Sequence, residues 1–103
     1  MYVIYCSEQL DGIAAAAIIS RYARLRNSEC RIGGFLTYTN IEEKFAEMAA
    51  LKGSLIFILD FCPEQIKELR TKLQQISKRN RIVYWNSHHP YSSETTEKLK
   101  EYV

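Results

Sequence analysis

Four side chains in this sequence are of types suited to holding a divalent cation: Asp11, Asp60, His88 and His89. Each lies just beyond an apolar run. Asp11 follows Tyr2-Val-Ile-Tyr-Cys6-Ser-Glu-Gln-Leu10, Asp60 follows Leu55-Ile-Phe-Ile-Leu59, and the paired histidines follow Ile82-Val-Tyr-Trp85-Asn-Ser87. Carboxylates and imidazoles are ligands for Mn²⁺, Mg²⁺ or Zn²⁺. Two such ions about 3.5–4 Å apart would polarise a phosphate and supply hydroxide. That chemistry draws on bridging carboxylates, and the inventory here is thin.

Each of these residues also has an ordinary structural use. Asp11 would serve as the N-cap of a helix. Gly12 would admit a ligand closely or simply ease a turn. Asp60 would anchor the loop into the next helix. Adjacent histidines point in different directions, so at most one faces a core, and His89 beside Pro90 would orient its loop. Cys6, Cys62 and His88 form a second constellation of zinc-ligand types, although free cysteines are commonly buried as small apolar groups.

Residues so far apart in sequence meet only if the elements between them bring them together. The pattern alternates strand and helix throughout. Residues 2–6 read as a buried strand and 11–26 as a helix, apolar nearly all round in its first half. Residues 31–38 form a second strand, weakened where it starts by Gly33-Gly34. Asn40 and Glu43 have capping-box spacing for a helix over 41–51. The run 55–60 does not alternate, so both its faces are covered. A helix over 63–79 begins at Pro63, with Ile66, Leu69, Leu73 and Ile76 at helical spacing. A strand over 81–85 and a helix over 94–102, capped by Ser92-Ser93, complete the chain. The fold class is therefore α/β: a small doubly wound parallel sheet of about four strands with helices on both faces. A strand order 2-1-3-4 makes the ends of strands 1, 3 and 4 neighbours, at the sheet edge where ligands bind.

The bulk numbers narrow the function classes. A content of 47% hydrophobic and 25% charged residues is that of a soluble globular protein. A net charge of +2 is too weak to argue for nucleic acid alone, and the basic runs at 21–31 and 78–81 read first as solvated helix ends. Three cysteines without a C-x-x-C fit a reducing cytosol, so the expected location is cytoplasmic. The opening residues read as a strand, not a signal peptide. No apolar run approaches the roughly 20 residues that span a bilayer.

Three segments together resemble the DHH phosphoesterase superfamily, specifically its RecJ-like N-terminal domain. The first motif, approximately His-x-Asp-x-Asp-Gly, aligns with Ser7-Glu8-Gln9-Leu10-Asp11-Gly12 and the alanines that follow. The second, an aspartate ending an apolar strand, aligns with Ile58-Leu59-Asp60-Phe61. The Asp-His-His signature aligns with Ser87-His88-His89, followed by Pro90. The resemblance spans residues 2–90 in order. It implies a metal set at Asp11, Asp60, His88 and His89 for Mn or Mg, with Ser7, Gly12 and Ser87 near phosphate. Three positions depart from it: Ser7 replaces a metal-binding His, Gln9 an Asp, and Ser87 the signature Asp. Neutral Ser and Gln are poor ligands for a hard dication, so the cluster is undercharged and conventional two-metal catalysis is not expected.

The chain ends 14 residues after His89. The expected organisation is one DHH-like domain over 1–103 without the family's C-terminal substrate-binding domain, whether as a minimal protein or as a fragment. The expected function is that of a degenerate DHH-like binding or scaffold module in nucleic-acid metabolism. The family includes a replication-fork helicase component of this kind, which works with GINS and MCM proteins. By that resemblance the partners are a replication or repair protein or single-stranded nucleic acid, with Tyr2, Tyr5, Tyr38, Tyr84, Trp85 and Tyr91 as stacking candidates. An exposed sheet edge would also permit a homodimer. The competing expectation is a phosphoesterase or nuclease with a reduced site, in which one metal on Asp11, Asp60 and His88 activates water. A third is a phosphate-ligand sensor using the helix start after Gly12.

Overall fold

The computed structural model describes residues 1–64, 66–87 and 91–103. Strands β1 (Tyr2–Ser7), β2 (Cys30–Leu36), β3 (Leu55–Leu59) and β4 (Arg81–Trp85) alternate with helices α1 (Leu10–Leu25), α2 (Ile41–Ala50), α3 (Leu69–Ser77) and α4 (Ser93–Tyr102). The sheet is parallel throughout, in the order β2-β1-β3-β4. This is the α/β architecture and the strand order expected from the sequence. From β1 the chain moves one way through α1 to β2, then crosses back through α2 to β3 and onward to β4. Right-handed crossovers in opposite directions put α1 on one face and α2 and α3 on the other. The reversal leaves a crevice outside the carboxyl ends of β1 and β3.

The two faces are filled unequally. Val3, Tyr5, Ile56, Ile58 and Ile82 point toward Phe45 and Met48 of α2, Leu73 and Ile76 of α3, and Leu99 of α4. The other face is a smaller cluster of Ile4, Cys6, Phe57 and Leu59 under Ala16 of α1. The central strands are buried almost end to end, while β2 and β4 at the edges are exposed at several positions. Both edges carry a register shift. Ile4 pairs with Ile32 and Tyr5 with Gly34, leaving Gly33 as the extra residue. In β4, Ile82 and Tyr84 pair with consecutive residues of β3, leaving Val83 as the extra one. Gly33 is required sterically, because a Cβ there would lie 2.4 Å from the Tyr5 ring. The glycine pair therefore forms a bulge inside β2.

Two local expectations are corrected. The helix expected over 63–79 begins only at Leu69, because Glu68 takes a left-handed conformation at φ 54° and an L-residue there cannot continue a helix upstream. Ile66 is still buried, held by a turn in which its N–H donates to the Pro63 carbonyl. The capping box at Asn40 does not form. Its Oδ1 accepts from Thr37 N–H and its Nδ2 donates to the Phe35 carbonyl, so Asn40 closes the β2 exit and makes no side-chain cap to α2. Ser92 does cap α4, its Oγ accepting from Thr95 N–H at 3.2 Å. No helix among the described residues is long and apolar enough to cross a membrane.

Candidate functional site

The crevice at the β1/β3 switch opens into a cleft of about 260 Å³ lined by Ser7, Glu8, Gln9, Leu36, Thr37, Tyr38, Asp60, Phe61 and Cys62. Its polar centre is a buried hydrogen bond in which Ser7 Oγ donates to Asp60 Oδ2 at 2.8 Å. The first and second motif segments, 53 residues apart, therefore touch. Ser7 is the last residue of β1 and its hydroxyl also accepts from Gln9 N–H at 3.4 Å.

Asp60 follows β3 with a left-handed backbone, φ 57°. Asn86, at the exit of β4, holds that turn on two sides. Its Oδ1 accepts from Asp60 N–H at 2.7 Å and its carbonyl accepts from Phe61 N–H at 3.1 Å. Trp85 adds a third tie, its indole N–H donating to the Phe61 carbonyl at 2.7 Å. Tyr38 closes the opposite wall by donating to the Cys62 carbonyl at 2.9 Å and packing its ring 4.8 Å from that of Phe61.

The remaining candidates divide. Gly12 is buried in the first turn of α1, packed so tightly on Ser7 that a Cβ would lie 2.4 Å from its Oγ. The close approach its small size allows is thus to Ser7. Asp11 is exposed in the same turn and does not line the cleft; Gln9, not Asp11, occupies the N-cap position. Ser87 follows Asn86 and is half-buried, with interactions of its own. His88 and His89 lie outside the described residues. Cys6 points to the α1 face and Cys62 to the cleft. Burial pushes the Cys6 thiol up, and the Asp60 charge adds to that shift; its side chain belongs to the apolar cluster under α1.

Among the described residues no group of three His, Cys, Asp or Glu side chains comes together to hold a metal. The carboxylate nearest the switch point is already engaged by Ser7, and Asp11 stands apart from it. The described donors alone do not fit a two-manganese centre. Among the described residues the cleft has two carboxylates, Glu8 and Asp60, and no lysine or arginine. Partial burial, followed by its Cys62 neighbour, pushes the Tyr38 phenol up, keeping it a neutral donor.

Sequence reasoning missed Asn86 and Thr37, and offered Tyr38 only as a stacking candidate, not as a wall of this cleft. Asn86 was detectable by the same rule that found Asp60, a polar residue ending a strand. Thr37 and Tyr38 follow β2, which neighbours β1, so the cleft opens toward β2 as well as β3. Comparison of the chain with family models, curated proteins and solved structures finds no match to any of them.

Proposed function

We propose that this chain is a DHH-like domain whose metal-holding set has lapsed, and that it serves as a binding module for a protein partner at the β1/β3 crevice. The Ser7–Asp60 hydrogen bond carries this reading. At the position where the family places a metal-binding histidine, a neutral hydroxyl instead donates to the second-motif carboxylate. That carboxylate takes a hydrogen bond at Oδ2 from within the protein, and a hydroxyl brings no charge to a hard dication. The cleft volume supports the rest. At about 260 Å³ it falls just below the roughly 300–1,000 Å³ of small-molecule pockets, a size for one inserted side chain. Two carboxylates and no lysine or arginine among the described lining residues favour an amine, guanidinium or amide donor from a protein over a phosphate backbone, which needs lysine or arginine. By the family resemblance the partner belongs to a replication or repair complex.

Titration calorimetry with Mn²⁺ tests the reading. The chain should take up no manganese in the micromolar range, and the triple variant Ser7→His, Gln9→Asp, Ser87→Asp should gain such binding. Micromolar binding by the unaltered chain, with hydrolysis of short single-stranded oligonucleotides abolished by Asp60→Asn, would replace it with the reduced-site phosphoesterase. That second reading is favoured by the position of Asp60 at the crevice where α/β folds bind ligands. Co-purification from the native host would name the partner.

A further inference from the structure

The face of the sheet that carries α1 is unfinished. One helix covers it, where the opposite face has three. Apolar grooves run along both flanks of α1. One is bordered by Ile13, Ile32 and Phe35, the other by Ile18, Val83 and Tyr84, and all six side chains are exposed. The helix itself continues the surface. Gly12, Ala16 and Ala23 point inward, so the opposite line runs through Ala14, Ile18, Arg21 and Leu25 by helical periodicity. Ile18 is 68% exposed and Leu25 73%. A contiguous apolar surface of this kind marks an interaction site.

The charges on α1 say what fits there. Asp11 lies in its first turn and Arg24 in its last, with Arg21 on the outward line. None of these three enters an ion pair among the described residues. The helix is its own electrostatic complement when reversed. Laid antiparallel on a second α1 about a two-fold axis near Ala17 and Ile18, Asp11 of each copy meets Arg24 of the other. Leu10 meets Leu25, and Ala14 lies under the aliphatic stem of Arg21. Opposed macrodipoles favour the same direction, and the exposed alanines permit an interaxial distance near the short end of the roughly 8–10 Å range. Self-pairing through a sheet edge is the poorer route, because both edge strands are bulged. A standard interface takes about 800 Å² per partner, a modest share of the 6414 Å² total surface.

We propose that a second copy of this chain docks on the α1 face, forming a two-fold dimer with α1 packed antiparallel on α1. This goes beyond the partner reading of the cleft, which lies at the strand ends and stays open in such a dimer. Sedimentation velocity on the full chain over a concentration series tests it. A monomer–dimer equilibrium is expected. Ile18→Glu should weaken it by about 30-fold or more, as loss of a central apolar anchor does, with unchanged circular dichroism and, at concentrations where both proteins are monomeric, an unchanged melting temperature because the site is exposed in the monomer. Asp11→Arg should weaken it about tenfold through like-charge contact, and adding Arg24→Asp should restore it. A monomer at every concentration overturns the proposal, as does a dimer indifferent to Ile18→Glu. A double reversal that fails to recover the loss overturns the antiparallel arrangement.

Discussion

Ser7 and Gly12 behave as one unit. The hydroxyl of Ser7 reaches Asp60, and Gly12 leaves the space that lets the first turn of α1 press on Ser7. Ser7→Ala removes a donor from a buried carboxylate and should destabilise the fold by about 1–3 kcal/mol, measured by urea unfolding. Gly12→Ala inverts the usual helix rule. Alanine elsewhere in a helix would gain about 1 kcal/mol. Here its methyl meets Ser7 Oγ and the backbone within 2.9 Å, so the variant should lose about 1–3 kcal/mol by overpacking. Tyr5 runs the other way. Its hydroxyl is buried without a partner among the described residues, and burial, with Glu47 adding and Arg31 offsetting, pushes its phenol up. Tyr5→Phe should therefore leave stability unchanged or raise it by about 1 kcal/mol, read from the same denaturant curves. The sequence could show that residue 7 departs from the motif it was aligned with. It could not show that the replacement would bond to Asp60, because that depends on strand order and on side-chain direction at the end of β1.

At the scale of elements, α4 is tied to the turn before α3 by one carboxylate. Glu64 Oε2 accepts from Ser92 N–H at 2.9 Å and from the Thr95 hydroxyl at 2.9 Å. The Ser92 backbone bond first, then the Thr95 hydroxyl, hold the Glu64 carboxyl below its ordinary value. A depressed folded value means that the stabilisation is complete above the ordinary glutamate range and fades as pH falls through the lowered value. Protection factors of Thr95 and its helical neighbours, corrected for intrinsic exchange, should thus fall at acid pH, and Glu64→Gln should remove that dependence. The same contact explains why the expected helix over 63–79 was too long. The apolar spacing of Ile66, Leu69, Leu73 and Ile76 is real and all four are buried, yet burial does not require one continuous helix. Glu64 is spent on α4, and the left-handed Glu68 breaks the register. Strands were legible because uninterrupted β-branched and aromatic runs leave little choice. Local polar chemistry misled at Asn40, where capping-box spacing was outweighed by bonds back to Phe35 of β2 and to Thr37 just after it.

For the molecule as a whole, the strand order followed from short connections and crossover handedness, rules that act on element order rather than on particular residues. What the rules could not give was the imbalance between the faces. The hydrophobic pattern of 13–19 marks a helix apolar all round, which reads equally as deeply buried or as covered by something outside the domain. The contrast is measurable. Ile76→Ala, at 0% exposure under α2 and β4, should cost about 2–5 kcal/mol. Ile18→Ala should change the stability of the monomer by no more than about 0.5 kcal/mol.

The left-handed turn at Asp60 offers a way to ask what the acid is kept for. Asparagine adopts that conformation more readily than aspartate and still presents an oxygen to Ser7, whereas a β-branched residue would strain the backbone by about 1–2 kcal/mol. A saturation library at this codon, sorted once for folding and once for capture of the proposed cleft partner, would then diverge. The first sort should enrich asparagine and the second should keep the acid, so a single position would separate selection for architecture from selection for use.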